Sequence, residues 1–204
     1  MSKEIFFNHI YDAQTSFRVL LNAFSHPGTI YSFDNFSLNL PIKLYKSNAI
    51  FALSLFDNNI SFNVSYAYDK SVEEYLQLNT SAKVEPLHEA DYVFLNGIED
   101  NSDLIKQTKI GELLYPEKNA TIILSVNKIS SLSFADFNIK LNLTGPGIKD
   151  TNSLFVEGLE IQNIETIKLI NAEFPLGVDV VITDANNLIS SIPRSSTIEI
   201  IQNN

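Results

Sequence analysis

The segment Ala120-Thr-Ile-Ile-Leu-Ser-Val126 is the cleanest buried strand in this chain, and helical and strand patterns alternate on both sides of it. That interleaving constrains the fold more than any other feature, because strands alternating with helices bury their apolar faces as a sheet with helices packed on it. Ala13, Phe17, Leu20, Leu21 and Phe24 recur at helical spacing, which predicts a helix over residues 12–25 with this stripe as its apolar face. Asp12 can cap its start and Pro27-Gly28 stops it. A strand follows over residues 29–33, whereas residues 47–56 fit a buried strand or a buried helix equally well. Asp57-Asn58-Asn59 is a turn, and Ile60 to Tyr66 alternates as a half-buried strand does.

Further along, the pattern predicts a helix from Ser71 to about Leu78, a strand over residues 92–95, and a short helix from Asp103 to about Gln107, before Gly111. Residues 137–143 alternate again, and Ile161, Ile164, Ile167 and Ile170 form a row on a helix ending near Phe174-Pro175. Three strands close the chain over residues 178–183, 188–190 and 197–201, with Asp184-Ala-Asn-Asn187 as the hairpin loop between the first two. The expected class is α/β, a mixed β-sheet sandwiched by helices. A length of 204 residues with no repeat, low-complexity tract or linker predicts a single domain over residues 1–204.

With 45% hydrophobic and 19% charged residues, the composition is that of a globular protein able to bury a core. A net charge of −10 argues against a nucleic-acid or anionic-membrane surface, which needs clustered Lys and Arg. The absence of cysteine excludes disulfides, thiolate zinc sites, iron–sulfur ligation and cysteine nucleophiles. No N-terminal apolar run has signal-peptide length, and no stretch approaches the roughly 18 apolar residues of a membrane span, so a cytoplasmic location is expected.

Only two of the cationic side chains are arginines, Arg18 and Arg194. The guanidinium is a permanently charged fork of five donors that lysine does not replace where bidentate geometry matters. On the first helix Gln14, Arg18 and Asn22 share the stripe opposite the apolar one. Arg194 follows Pro193 before the last strand and is a candidate partner for Asp179, a carboxylate within a strongly apolar strand. Such a pair reads as an architectural tie rather than an acid–base dyad.

Sites for chemistry are sparse. Thr144-Gly145-Pro146-Gly147 resembles a phosphate loop only superficially, since Pro146 removes an N–H and no lysine follows Gly147 directly. No Gly-x-Gly-x-x-Gly motif supports a dinucleotide site. His9, His26 and His88 are not at metal-ligand spacing, and His26 suits a helix C-terminus without any chemistry. The residues identify no catalytic, cofactor-binding or metal-binding side chain.

Four stretches carry a family resemblance. The segment Asp12-Ala-Gln14-x-Ser16-Phe17-Arg18-x-Leu20-Leu21-x-Ala23-x-Ser25-x-Pro27-Gly28 resembles the opening of the H subunit of bacterial carbon–phosphorus lyase. Leu143-Thr-Gly145-Pro-Gly147-Ile148, Phe174-Pro-Leu-Gly-Val-Asp179 and Ile192-Pro-Arg194-Ser-Ser-Thr197 resemble the same family in the same order. The resemblance implies a core subunit of the alpha-D-ribose 1-methylphosphonate 5-triphosphate synthase complex, accompanied by subunits G, I and J and homodimeric when isolated. It also implies an α/β fold similar to the large domain of pyridoxal-phosphate-dependent transferases, without that cofactor. A pyridoxal enzyme needs a Schiff-base lysine, an acidic partner for the ring nitrogen and a phosphate cup, and no lysine here has a recognisable setting for that role.

Asp12, Gln14, Arg18, Ser25, Pro27, Gly28, Gly145, Gly147, Asp179 and Arg194 are accordingly interface or structural candidates within an accessory subunit. The alternative is a stand-alone enzyme or binder of phosphorylated or phosphonate ligands, with Arg18, Arg194 and the Gly145–Gly147 turn gathered at one anion site.

Overall fold

A computed structural model describes residues 6–65, 70–132, 137 and 139–202; Tyr66 and Asn138, which the pattern assigns to strands, lie outside them. The first half runs α1 (Tyr11–Ser25), β1 (Tyr31–Ser32), α2 (Lys46–Leu55), β2 (Ser61–Val64), α3 (Ser71–Thr80), β3 (Lys83–Val84), β4 (Tyr92–Asn96) and the single turn α4 (Ser102–Ile105). The second half runs β5 (Ile110–Glu112), β6 (Tyr115–Asn119), β7 (Thr121–Val126), β8 (Lys128–Ser130), β9 (Ile139–Thr144), β10 (Asn152–Glu157), α5 (Ile161–Asn171), β11 (Asp179–Asp184), β12 (Leu188–Ile192) and β13 (Thr197–Gln202).

The buried strand foreseen at the centre is β7, flanked in parallel by β4 and β11. In this register Phe94, Ile123 and Val181 stand side by side on one face, while Val93, Leu95, Ile122, Leu124, Val180 and Ile182 stand on the other. All nine are fully buried, so both faces of the sheet must be covered. The complete sheet has seven strands in the order β1-β12-β11-β7-β4-β2-β3. It is mixed: β3, β2, β4, β7 and β11 are parallel, β12 is antiparallel to β11, and β1 is antiparallel to β12.

Helices α1, α2 and α3 cover the Ile123 face, contributing Leu20, Phe51, Val72 and Leu76 to its core. The opposite face packs against Ile164 and Ile167 of α5, and also against Leu141, Leu143, Leu154 and Val156 of a second sheet. That sheet is antiparallel, in the order β13-β9-β10-β8. A mixed sheet between helices is therefore present, but sheet packs on sheet over part of one face. The patterns gave no sign of β8, β10 or the β5–β6 hairpin, and β13 belongs to the second sheet rather than beside β12.

Local corrections have physical reasons. Asn8, not Asp12, caps α1: its side-chain oxygen accepts from the Ile10 and Tyr11 N–H groups at 2.9 and 3.0 Å. Asp12 answers by accepting from the Asn8 N–H at 2.8 Å. The core-facing stripe of α1 is centred on Ser16, Leu20 and Ala23, while Phe17 and Leu21 are 41% and 51% exposed. Small side chains bring the helix backbone close to β12, where the Ser191 hydroxyl donates to the Ala23 carbonyl at 2.6 Å.

The ambiguous segment 47–56 is helix α2, buried at every position from Ser47 to Leu53. A helix buried all round has no polar face to reveal its period. Its polar residues are satisfied by the sheet: Asn48 donates to the Ser125 hydroxyl at 2.8 Å and accepts from Thr183 at 2.7 Å, and Ser47 donates to the Asp184 carbonyl at 3.0 Å. Helix α5 stops at Asn171, earlier than the pattern suggests. Among the described residues no helix is long and apolar enough to cross a membrane.

Candidate functional site

Three turns that are distant in sequence meet at one junction. Helix α1 ends at Ser25, and the His26 N–H closes its last turn on the Asn22 carbonyl at 3.0 Å. The chain then reverses at Gly28, whose φ is +76° and whose N–H donates to the Ser191 carbonyl at 3.0 Å. A Cβ at position 28 would lie 2.7 Å from a Leu143 methyl carbon, so glycine lets this turn sit directly on β9. Asn152 of β10 fastens the turn by donating to the Pro27 carbonyl at 2.7 Å.

The Gly145-Pro146-Gly147 turn joins β9 to β10 and packs against the same place. Gly147, with φ +83°, would carry a Cβ 2.5 Å from the Ser25 carbonyl oxygen. Gly145, with φ +135°, would carry one 3.0 Å from the Ser195 carbonyl oxygen. These glycines serve backbone-on-backbone contact between turns, which is a different use from cradling a phosphate.

Arg194 begins the third turn and does meet Asp179. Its backbone N–H donates to the Asp179 carboxylate at 2.8 Å, and its guanidinium stands 3.8 Å from the other carboxylate oxygen. Asn119 donates to that second oxygen at 3.0 Å. Both charged side chains are largely buried, at 17% and 24% exposure. The guanidinium nitrogen nearest Asp179 is buried and has no hydrogen bond, so the backbone N–H is the firmer tie and the charge pair the looser one.

Arg18 has a different setting. It is exposed on α1 and takes part in no hydrogen bond or ion pair among the described residues, and the same holds for the Gln14 side chain. Around it Ile10, Tyr11, Phe17 and Leu21 are 74%, 71%, 41% and 51% exposed. Positions 10, 14, 17 and 21 are spaced as neighbours on one helical face. The structure thus brings Ser25, Pro27, Gly28, Gly145, Gly147, Asp179 and Arg194 into one connected region, and leaves Asp12, Gln14 and Arg18 on the helix leading to it.

One polar cluster had no sequence signal, because its members lie 30 and 18 positions apart. Asp91, just before β4, accepts from the Ser61 N–H at 2.8 Å, from the Ser61 hydroxyl at 2.6 Å and from the Lys109 ammonium. Burial pushes the Asp91 carboxyl up, but the hydrogen bonds from Lys109 and Ser61 outweigh it and hold it below its ordinary value. The neighbouring Tyr92 hydroxyl is pushed up, first by burial and then by the charges of Asp91 and Asp179. At the opposite end of the sheet Asp184 is fully buried and accepts from the N–H groups of Asn186, Leu188 and Ile129 at 2.8, 3.0 and 3.3 Å. Both carboxylates hold backbone in place, and among the described residues no group of three or more His, Asp or Glu could hold a metal.

Residues 4–199 match the family described as bacterial phosphonate metabolism protein (PhnH). The chain belongs to this family. Over 188 residues it is 27% identical to the putative C-P lyase subunit protein HtxG of Stutzerimonas stutzeri, a match covering 92% of this chain and 86% of the relative. Over 198 residues it is 26% identical to the alpha-D-ribose 1-methylphosphonate 5-triphosphate synthase subunit PhnH of Rhizobium meliloti (strain 1021), covering 95% and 94% respectively. The four stretches that carried the resemblance to this phosphonate metabolism family are those that build the junction. The first ends in the Pro27-Gly28 turn, the second is the Gly145–Gly147 turn, and the third and fourth supply Asp179 and Arg194.

Proposed function

We propose that this chain is an accessory, non-catalytic subunit of a carbon–phosphorus lyase core assembly acting in phosphonate catabolism. It works in the cytoplasm as one domain alongside subunits G, I and J, and self-associates when isolated. The names of both relatives support the subunit role. The seven-stranded mixed sheet between helices supports likeness to the large domain of pyridoxal-phosphate-dependent transferases. The observation that carries the reading is the outward face of α1, where Ile10, Tyr11, Phe17 and Leu21 are exposed around Gln14 and an Arg18 that is unpaired among the described residues. Contiguous exposed apolar side chains mark an interaction surface, and a free guanidinium among them supplies directed donors for a partner's carboxylate or carbonyl. The commitment of Asp91, Asp179 and Asp184 to internal hydrogen bonds supports a structural rather than a chemical role.

Co-expression of this chain with the companion subunits tests the proposal. The expected result is a co-purifying complex, with no turnover of nucleoside triphosphate and alkylphosphonate by the chain alone. A chain that stays free while the others assemble overturns it.

A further inference from the structure

The β5–β6 hairpin is built as an arm. Neither strand contains a buried residue. The body holds its base through the Gly177 N–H, which donates to the Ile110 carbonyl at 3.0 Å, and through the Ala120 N–H, which donates to the Lys109 carbonyl at 2.8 Å. An open cavity of about 740 Å³ lies against it, lined by His88, Asp91, Lys109, Glu112, Glu117 and Lys118 among others. Apart from Ile110 at its base, which is partly buried against the core, solvent rather than core backs the hairpin, and a two-stranded ribbon of this kind is marginal in water on its own.

The tip departs from ordinary turn chemistry. Glu112 pairs with Tyr115, leaving Leu113-Leu114 as a two-residue loop. Such loops favour Asn or Gly with positive φ, yet both positions are leucine and neither has positive φ. Twist comes from one step back, at a bulge with Gly111 at φ +83°, where a Cβ would lie 2.7 Å from the Pro116 carbonyl oxygen. Leu113, Leu114 and Tyr115 are 76%, 83% and 47% exposed. The leucines serve neither the turn nor the core, and large apolar groups at a protruding tip are suited to filling a partner's pocket.

The flanks indicate the partner's charge. Glu112 and Glu117 are exposed and take part in no ion pair among the described residues, while the Lys118 ammonium lies 4.1 Å from the centre of the Tyr115 ring. The chain as a whole carries a net charge of −10. Complementarity calls for a cleft with an apolar floor and a rim of Lys or Arg.

We infer that the hairpin is a docking arm that inserts Leu113 and Leu114 into such a basic-rimmed apolar cleft on a companion subunit. This rests on the subunit reading above, and it adds a contact separate from the α1 face. The test co-expresses the full chain, wild type or Leu113→Ser/Leu114→Ser, with the three companion core subunits. The tip variant is expected to lower the co-purified amount at least about ten-fold, as loss of a central apolar anchor does. The melting temperature and elution volume of the isolated variant should stay at the wild-type values. Glu112→Lys/Glu117→Lys, which leaves the turn intact, should also weaken capture. Capture of the tip variant at the wild-type level overturns the arm and leaves the subunit reading standing. A changed elution volume of the isolated tip variant overturns it in favour of a second copy as the occupant. Failure of the wild-type chain to co-purify overturns both.

Discussion

At the motif junction Gly28, Gly145 and Gly147 hold positive φ against the backbone or side chains of other turns and strands, whereas at the arm Gly111 does so only against the opposite strand of its own hairpin. The junction joins segments more than a hundred positions apart, as in the Asn152 bond to Pro27, and its Asp179–Arg194 pair is largely buried. The arm has local pairing, no buried residue and three exposed apolar side chains at its tip. The same residue type thus acts in two ways. At the junction a glycine permits a close contact between distant turns, and at the arm it shapes an element whose tip leaves its apolar groups exposed.

The largest effect should come from Gly147→Ala, which places a methyl group 2.5 Å from the Ser25 carbonyl oxygen at a positive φ. Strain and forced movement of the turn should cost about 3 kcal/mol in a denaturant melt. Leu113→Ala at the arm should cost less than about 0.5 kcal/mol in the same measurement, because nothing buries that side chain. Similar losses at the two places would dissolve the contrast.

Next in size is Asp179→Ala. It strips the acceptor from the Arg194 N–H and from Asn119 and leaves a mostly buried guanidinium without its counter-charge, so a loss of about 2 kcal/mol is expected. Equal melting of Asp179→Ala and wild type would show that the junction does not need this tie.

A smaller, pH-dependent effect separates the Asp91 cluster from both regions. The folded-state pKa of Asp91 lies below its ordinary value of 3.8. Its contribution to stability is therefore present in full above about pH 4 and is lost as pH falls through the lowered folded value. Asp91→Asn should reduce stability at neutral pH and flatten the acid side of the stability profile. A wild-type profile and a variant profile with the same acid slope would refute the assignment.

As small a change in stability as at Leu113 is expected for Arg18→Ala, at under about 0.5 kcal/mol, since the side chain is exposed and unpaired among the described residues. Its readout is assembly: the variant should melt like wild type and co-purify poorly with companion subunits. Normal complex yield would remove Arg18 from the interface.

Much of the frame was legible along the chain. The helix ending before Pro27-Gly28, strand β7 with its apolar Ile122-Ile-Leu124 centre, and the β11–β12 hairpin around Asp184–Asn187 all follow from local pattern and turn chemistry. The Asp179–Arg194 pairing was readable too, because a charge within an apolar strand demands a counter-charge. Strands β8 and β10 were not, since short segments such as Lys128-Ile-Ser130 carry too few residues for a period to stand out. The apolar stripe of α1 was readable in part: Ala13, Leu20 and Phe24 do pack on the core, whereas Phe17 and Leu21 face outward. Two overlapping apolar stripes fit the helix, and bulk favours the one with Phe17 and Leu21.

The sequence by itself determined the class of fold, the family and such turns as Pro27-Gly28 and Asp184–Asn187, because periodicity, glycine and proline act over a few neighbouring positions. Only the tertiary structure decided that Ser16 and Ala23 face inward, that the last strand leaves its predecessor for a second sheet, and that three distant turns meet on their glycines. Close approach between segments depends on the volume left by every other side chain, and no local window contains that information.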